Sequence, residues 1–279
     1  MTSAPYRWPN DAGLALSLVV NVEEGAEMSI VDGDPVPEPV DELGLSLKRE
    51  MRNLGNESNY RYGIEDFPRV LALLDGFDPA ATWPASAPAL ERSPHIADAI
   101  RARGDEAASH GYRWVHQFRM DEEEERAFLR RAADSIERTV GDLSRYRLTE
   151  NTRRLLAEEG FLHHMDDYSP DEPFWADAGG RSIVVVPNAI DTNDMKMWAE
   201  PSYTPRQWLD YAIDTFDRLH AEGADRPRMM SVGLHLRVIG RPGRIGALER
   251  FLEHVAAHDD VWTTTRRSIA EHFAAVPAP

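Results

Sequence analysis

The sequence predicts an α/β protein with about seven mainly parallel strands, a barrel or a closed, distorted relative of one. Two observations carry this. Short apolar runs alternate with amphipathic stretches of about a dozen residues, the pattern of strands joined by crossover helices. The chain is also long enough, at 279 residues and 42% hydrophobic content, to bury one large core. The predicted strands are Leu14 to Val22, Ala80 to Trp83, Asp105 to Ser109, Phe161 to Met165, Ser182 to Val186, Met229 to His235 and Val261 to Thr264, set off by Gly, Pro, Asp or Asn. The predicted helices are Ile64 to Leu74, Ala87 to Arg103, Glu122 to Val140, Asn151 to Glu158, Pro205 to Glu222, Pro242 to Ala257 and Arg267 to Ala274. Pro205 and Pro242 suit first-turn positions, and Thr149 suits an N-cap.

Between Glu27 and Tyr62 no period is visible, and Pro35, Pro37 and Pro39 break an acidic stretch. A long loop is expected there, either a functional cover or contact arm or a disordered surface insertion, within a single catalytic domain spanning 1–279. The acids Glu122 to Glu125 read as the solvated first turn of a helix.

Composition excludes several functions. Lys and Arg total 31 against 48 Asp and Glu, so the net charge of −17 repels nucleic-acid backbones and anionic membranes. With no cysteine there is no disulfide, no thiol nucleophile and no thiolate-bound zinc, so any metal must sit on His, Asp or Glu. The first residues lack the basic start and apolar core of a signal peptide, and no apolar run is long enough to span a bilayer. A cytoplasmic protein with a small-molecule substrate, and with neither nucleic-acid nor membrane partners, is the expectation.

Ionisable residues gather at the predicted strand ends, the edge where parallel α/β proteins build their sites. Glu23 and Glu24 follow the first strand and precede Gly25, where a turn would let two adjacent carboxylates serve one place. His110 follows the third strand and precedes Gly111. His116 stands six residues on, a poorer chelating interval than the i, i+4 pair of a helix, and a structural role suits it better. Asp191 and Asp194 follow another strand, and His235 ends the sixth. Convergence at four strand ends points to one shared pocket. Serine-hydrolase, P-loop and dinucleotide motifs are missing, which leaves hydrolysis by an activated water.

In its motifs the chain resembles the polysaccharide deacetylase superfamily, and within it the bacterial allantoinase branch with its cyclic imide hydrolase relatives. The blocks occur in order over nearly the whole sequence: Val22-Glu23-Glu24-Gly25, Glu57-Ser58, Tyr60-Arg61-Tyr62-Gly63, Ser109-His110-Gly111-Tyr112-Arg113-Trp114, Pro173-Phe174-Trp175, Asp191-Thr192-Asn193-Asp194 and Gly233-Leu234-His235. The resemblance implies a distorted barrel that hydrolyses a C–N bond of a ureide, cyclic imide or linear amide, working as a homo-oligomer. Glu23 falls at the superfamily's catalytic-base position, Glu24 at its metal-binding aspartate and His110 at its first metal histidine. Trp114 stands where the second metal histidine belongs, so the usual metal set is incomplete. A divalent metal on Glu24 and His110 would need His116 or His164 to complete it. Metal-independent chemistry with no cofactor is the favoured expectation.

The proposed assignment makes Glu23 the general base, His235 the general acid, and His110, with a backbone N–H, the oxyanion partner. Glu24, Glu57, Trp114, Arg147, Asp166, Asp191 and Asp194 are the expected substrate contacts, with Asp191 and Asp194 equally suited to orienting a histidine. Glu24, as a like charge, is expected to raise the Glu23 pKa. The segments around Arg147, around His163-His164-Met165-Asp166 and around Tyr60-Arg61-Tyr62-Gly63 depart from the allantoinase pattern, which makes allantoin itself a doubtful substrate. The competing readings are an inactive or binding paralogue and a metal-dependent N-deacetylase.

Overall fold

The computed structural model describes residues 6–40, 42, 44, 49–115, 117–140 and 149–278, with the backbone of Ser144 and Arg145. The first half holds β1 (Leu14–Asn21), α1 (Leu54–Glu65), α2 (Phe67–Phe77), β2 (Ala81–Ala85), α3 (Ala87–Arg92), α4 (Pro94–Arg103), β3 (Glu106–Ser109) and α5 (Glu122–Thr139). The second half holds β4 (Ser144–Arg145), α6 (Thr152–Glu158), β5 (His163–His164), β6 (Phe174–Asp177), β7 (Ser182–Val185), α7 (Pro205–Gly223), β8 (Arg228–His235), α8 (Leu236–Ile239), α9 (Pro242–Ala256), β9 (Val261–Thr263) and α10 (Arg266–Phe273).

The strands form one sheet in the order β6-β7-β5-β4-β3-β2-β1-β8, with β9 also on β1. Every pairing is parallel except β6 with β7. β1 is the centre, buried along all eight residues as a strand covered on both faces must be. β8 follows it from Leu14↔Arg228 to Asn21↔His235, while β9 pairs with its first half and β2 with its second. That register brings the ends of β1 and β8 level, which places Glu23 beside His235.

The sheet curls into a distorted barrel, and an arginine bridges its open side. Arg266 donates to the carbonyls of Val186 and Pro187 just past β7, at 2.6 and 2.7 Å, and to Ser231 Oγ on β8. Asn188 Oδ1 joins the same network, 3.2 Å from Arg266 and 2.9 Å from Ser231 Oγ. A guanidinium with several donors can link two strand ends that backbone pairing does not.

The strand count and several boundaries differ from the sequence expectation. Two-residue β4 has no apolar period to reveal it. The antiparallel β6 joins β7 through Gly179 and Gly180, both at positive φ, a glycine pair that marked a hairpin. The helix expected over Ile64 to Leu74 divides before Phe67 and Pro68, and the one expected over Ala87 to Arg103 divides before Pro94, because proline suits a first turn and disfavours helix just before it. Asn151 rather than Thr149 holds the N-cap position of α6. Thr149 and Thr152 instead donate to Glu125, which is buried and not on a solvated face.

The segment expected as a loop over 27–62 contains most of α1. No apolar period marks this helix, because its buried face is carried by Asn56, Asn59, Tyr60 and Gly63 rather than by aliphatic residues. Upstream, the chain is pinned to its own barrel: Asp32 pairs with Arg92, Asp34 with Arg113, and the Glu38 carboxylate accepts from the Met28 and Val40 amides. No helix among the described residues is long and apolar enough to cross a membrane.

Candidate active site

Each element ends where a reactive group is needed. After β1, Val22 bridges to Ala85 and the chain turns at Gly25, whose φ of +92° suits glycine. Glu23 and Glu24 stay together, because a Glu24 oxygen accepts from the Glu23 amide at 3.1 Å. β3 delivers His110, followed by Gly111 at φ +89°. His110 Nε2 lies 3.0 Å from Glu23 Oε1, and His235 Nε2, from the end of β8, lies 3.7 Å from the same oxygen. All three side chains are buried.

Asp194 fixes the second histidine. One carboxylate oxygen accepts from the His235 backbone amide at 2.8 Å, and the other meets His235 Nδ1 at 2.7 Å. That pairing assigns the Nδ1 proton and aims Nε2 at Glu23. The segment approaches β8 closely because Gly233 has no side chain: a Cβ there would stand 2.5 Å from the Asn193 side-chain amide.

Arg237, on α8, is the residue the sequence did not single out. Its NH1 donates to Glu23 at 2.9 Å and lies 3.5 Å from Glu24, its Nε donates to Glu42 at 3.0 Å, and its backbone amide donates to Glu24 at 3.2 Å. The guanidinium is buried, 4.5 Å from the Tyr60 ring centre and 5.6 Å from that of Trp114. One cation thus serves three carboxylates under an aromatic cover. Its place two residues after His235 was the available signal.

This cation reverses the expected electrostatics. Burial alone would raise the Glu23 pKa, but His235, Arg237 and the His110 hydrogen bond hold it well below the usual carboxylate range. Glu24 is the carboxyl that is raised, by burial first, with Arg237 opposing and Glu23 adding to the rise. Burial would lower His235, yet Asp194 and Glu23 raise it, so its imidazolium persists to higher pH. The expectation of a raised Glu23 is therefore corrected: opposite charges in contact outweigh one like neighbour.

Gly63 on α1 makes room for this network. A Cβ at that position would sit 2.6 Å from Glu24 Oε1 and 3.0 Å from the Arg237 amide. Gly63→Ala is expected to destabilise the protein by about 1–3 kcal/mol, the usual effect of overpacking. Denaturant unfolding of the variant checks this, and an unchanged midpoint would show that the carboxylate moves freely.

The other expected residues divide. Trp114 lies beside the site through Arg237, and Asp194 is within it. Asp191 is not: it is exposed, and its carboxylate accepts from Tyr211 on α7 at 2.9 Å. Glu57, which is half-buried, instead pairs with Arg52 at 3.0 Å. Asp166 follows β5 and accepts from Tyr168 at 2.9 Å. Arg147 and His116 fall outside the described residues. Chain proximity to Asp194 and Tyr60 does not fix the direction of the Asp191 and Glu57 side chains.

A protein-family model described as polysaccharide deacetylase matches residues 62–151. A protein of Schizosaccharomyces pombe (strain 972), named "Putative polysaccharide deacetylase", is 32% identical over 96% of this chain and 92% of its own length. The chain belongs to the polysaccharide deacetylase family. Among solved structures, that of PuuE allantoinase superposes with a TM-score of 0.93 at 39% identity, covering 99% of this chain and 94% of that one. A "probable Polysaccharide deacetylase from Pseudomonas aeruginosa PAO1" gives 0.91 at 38% identity, over 97% and 93%. This chain is thus a hydrolase of the polysaccharide deacetylase family with an allantoinase-like sequence.

The residues present do not fit the metal implied for the superfamily at Glu24 and His110. Both Glu24 oxygens already accept from the Glu23 and Arg237 amides, a guanidinium lies against them, and Trp114 offers no ligand atom. His164 does not complete the set. Its Nε2 accepts from the Asp166 amide at 3.3 Å, and it belongs to no convergent ligand group among the described residues. Burial, aided by Arg153, pushes its pKa down to about 3. His164 thus stays neutral in the folded chain, whereas it takes a proton near 6.5 once unfolded, so folding stability is lost as the pH falls from 6.5 towards 3. In His164→Gln the melting temperature is expected to fall less between pH 7.5 and pH 5 than in the parent, by about 2–4 °C for each kcal/mol of removed linkage. Parallel melting curves for the two proteins across that range would discount His164.

Proposed function

We propose that this protein hydrolyses a C–N bond of a ureide, cyclic imide or linear amide without a bound metal. The observation that carries the reading is the buried relay Asp194–His235–Glu23–His110, all drawn from the C-terminal edge of the strands. The likeness to an allantoinase over nearly the whole chain supports the class of bond.

Amide-type hydrolysis needs a base for water, a donor for the carbonyl oxygen and a proton for the departing nitrogen. Glu23 is ionised throughout the neutral range and accepts the proton of a water at Oε1. The water oxygen bonds to the carbonyl carbon, and His110 donates to the oxyanion that develops. His235, protonated through Asp194, gives its Nε2 proton to the nitrogen as the C–N bond breaks. Glu23 returns the proton it took, to His235 directly or through water, at the 3.7 Å that separates them.

Arg237 performs the charge compensation a divalent ion gives elsewhere. It keeps Glu23 anionic, and a low Glu23 pKa makes it a weak base that is always available. Trp114 and Tyr60 flank that cation, and with Asp166 and Tyr168 at the barrel mouth they form the proposed substrate boundary.

The test is a hydrolysis screen of allantoin, hydantoins, succinimide-type imides and simple amides, each with and without a chelator. Turnover of a ureide or imide that survives chelation is the expected result. Activity that appears only with added metal, or only on an N-acetylated polysaccharide, would replace this reading with a metal-dependent deacetylase. Failure on every substrate would favour the inactive paralogue.

A further inference from the structure

At the opposite edge of the barrel from Glu23, α7 and α9 bring three histidines together. α7 ends at Gly223, which packs on Gly13 at the start of β1, and α9 ends just before β9, whose first residue pairs with Leu14. The last turns of both helices therefore lie at the N-terminal edge of the strands.

One nitrogen each from His254 and His258 and one oxygen of Asp217 lie within 4.8 Å of one another, the one such convergent group among the described residues. His254 and His258 are four apart, across the end of α9, the interval that stacks two imidazoles on one helix face. His254 Nε2 is 2.7 Å from Asp217 Oδ1. His258 Nδ1 is 2.9 Å from the His254 carbonyl, so it carries the proton and Nε2 keeps its lone pair. An N–H donated to a backbone carbonyl is the support that orients a metal-binding histidine.

The rings are also held before any ion arrives. Buried Phe216 packs on His254 and His258 with centroids 5.3 and 5.0 Å apart, and stacks on His220 at 5.9 Å and 7°. His220 sits 5.1 Å from the His258 ring, and its Nε2 meets Asp260 at 2.9 Å.

We propose that Asp217, His254 and His258 bind a divalent transition-metal ion of the zinc type, which clamps α7 to α9 away from the catalytic residues. Two imidazoles and a carboxylate are borderline ligands suited to such ions, and a chain of net charge −17 attracts cations. Tetrahedral zinc at about 2.0–2.1 Å needs ligand atoms roughly 3.4 Å apart, so the group must contract slightly. The ion takes the place of the hydrogen between His254 Nε2 and Asp217: a neutral His254 then carries its proton on Nδ1, while a protonated one loses its second proton to solvent.

Calorimetric titration of EDTA-dialysed protein with zinc chloride tests this, alongside His254→Gln/His258→Gln and His110→Gln variants. The parent and His110→Gln are expected to bind one zinc per chain, more tightly at higher pH. The double variant is expected to lose more than about tenfold in affinity. Excess zinc is expected to raise the melting temperature of the parent and not of the double variant. Equal binding by the double variant, or loss of binding in His110→Gln, would overturn the proposal, as would a parent that binds no zinc. Cobalt absorption gives a second readout: the visible bands should be present in the parent and absent from the double variant if both folds are intact.

Discussion

Glu23→Gln is expected to reduce turnover of the substrate by about 100- to 10,000-fold, the usual effect of removing a general base. Glutamine keeps the side-chain shape and can still hydrogen-bond His110, but it cannot take a proton from water. The fold should survive, because Arg237 retains Glu24 and Glu42 as partners. A stability loss of about 1.5–3 kcal/mol is expected, the value of a hydrogen bond to a charged group. Losing the Glu23 charge also removes one of the influences that raise His235, leaving those of Asp194, so its pKa should fall. Steady-state rates across pH, together with denaturant unfolding, check both parts. A Gln variant within about tenfold of the parent would move the base to Glu24.

Arg237→Met is expected to destabilise the protein by about 3–5 kcal/mol, because it leaves the buried carboxylates of Glu23 and Glu24, and the half-buried one of Glu42, without their common cation. At about 2–4 °C per kcal/mol, the melting temperature should drop by roughly 10 °C near neutral pH. The pH signature distinguishes this from simple loss of packing. Without the guanidinium, burial lifts the folded-state pKa of Glu23 above its unfolded value and raises that of Glu24 further. A raised folded-state pKa contributes stability at low pH that is lost as the pH rises through it. The deficit relative to the parent should therefore shrink on acidification from pH 7 towards 4.5. Arg237→Lys restores the charge but not the planar fork and should recover only part of the loss. A deficit independent of pH would mean that Arg237 acts by packing alone.

His235 shows how the two levels of description divide. A histidine at the end of an apolar run, after a glycine, marks a strand terminus in any parallel α/β protein, so its place on the site edge was legible. Glu23, Glu24 and His110 were legible for the same reason, with Gly25 and Gly111 supplying the turns. The barrel class followed from the alternation of runs, since a strand buried on both faces is mostly apolar, as β1 is apart from Ser17 and Asn21.

The sequence by itself determined the elements and the ionisable groups at their ends, because those depend on local periodicity and on where apolar runs stop. Only the tertiary structure decided which groups meet. Asp194 and Asp191 are three residues apart, yet one is buried against His235 and the other faces Tyr211 in solvent. Arg237 has no local mark beyond its place two residues after His235, since its role depends on carboxylates 195 to 214 residues away in the chain. The sign of the Glu23 shift follows from the same cause: a pKa is set by charges near in space, and sequence neighbours such as Glu24 are only some of them.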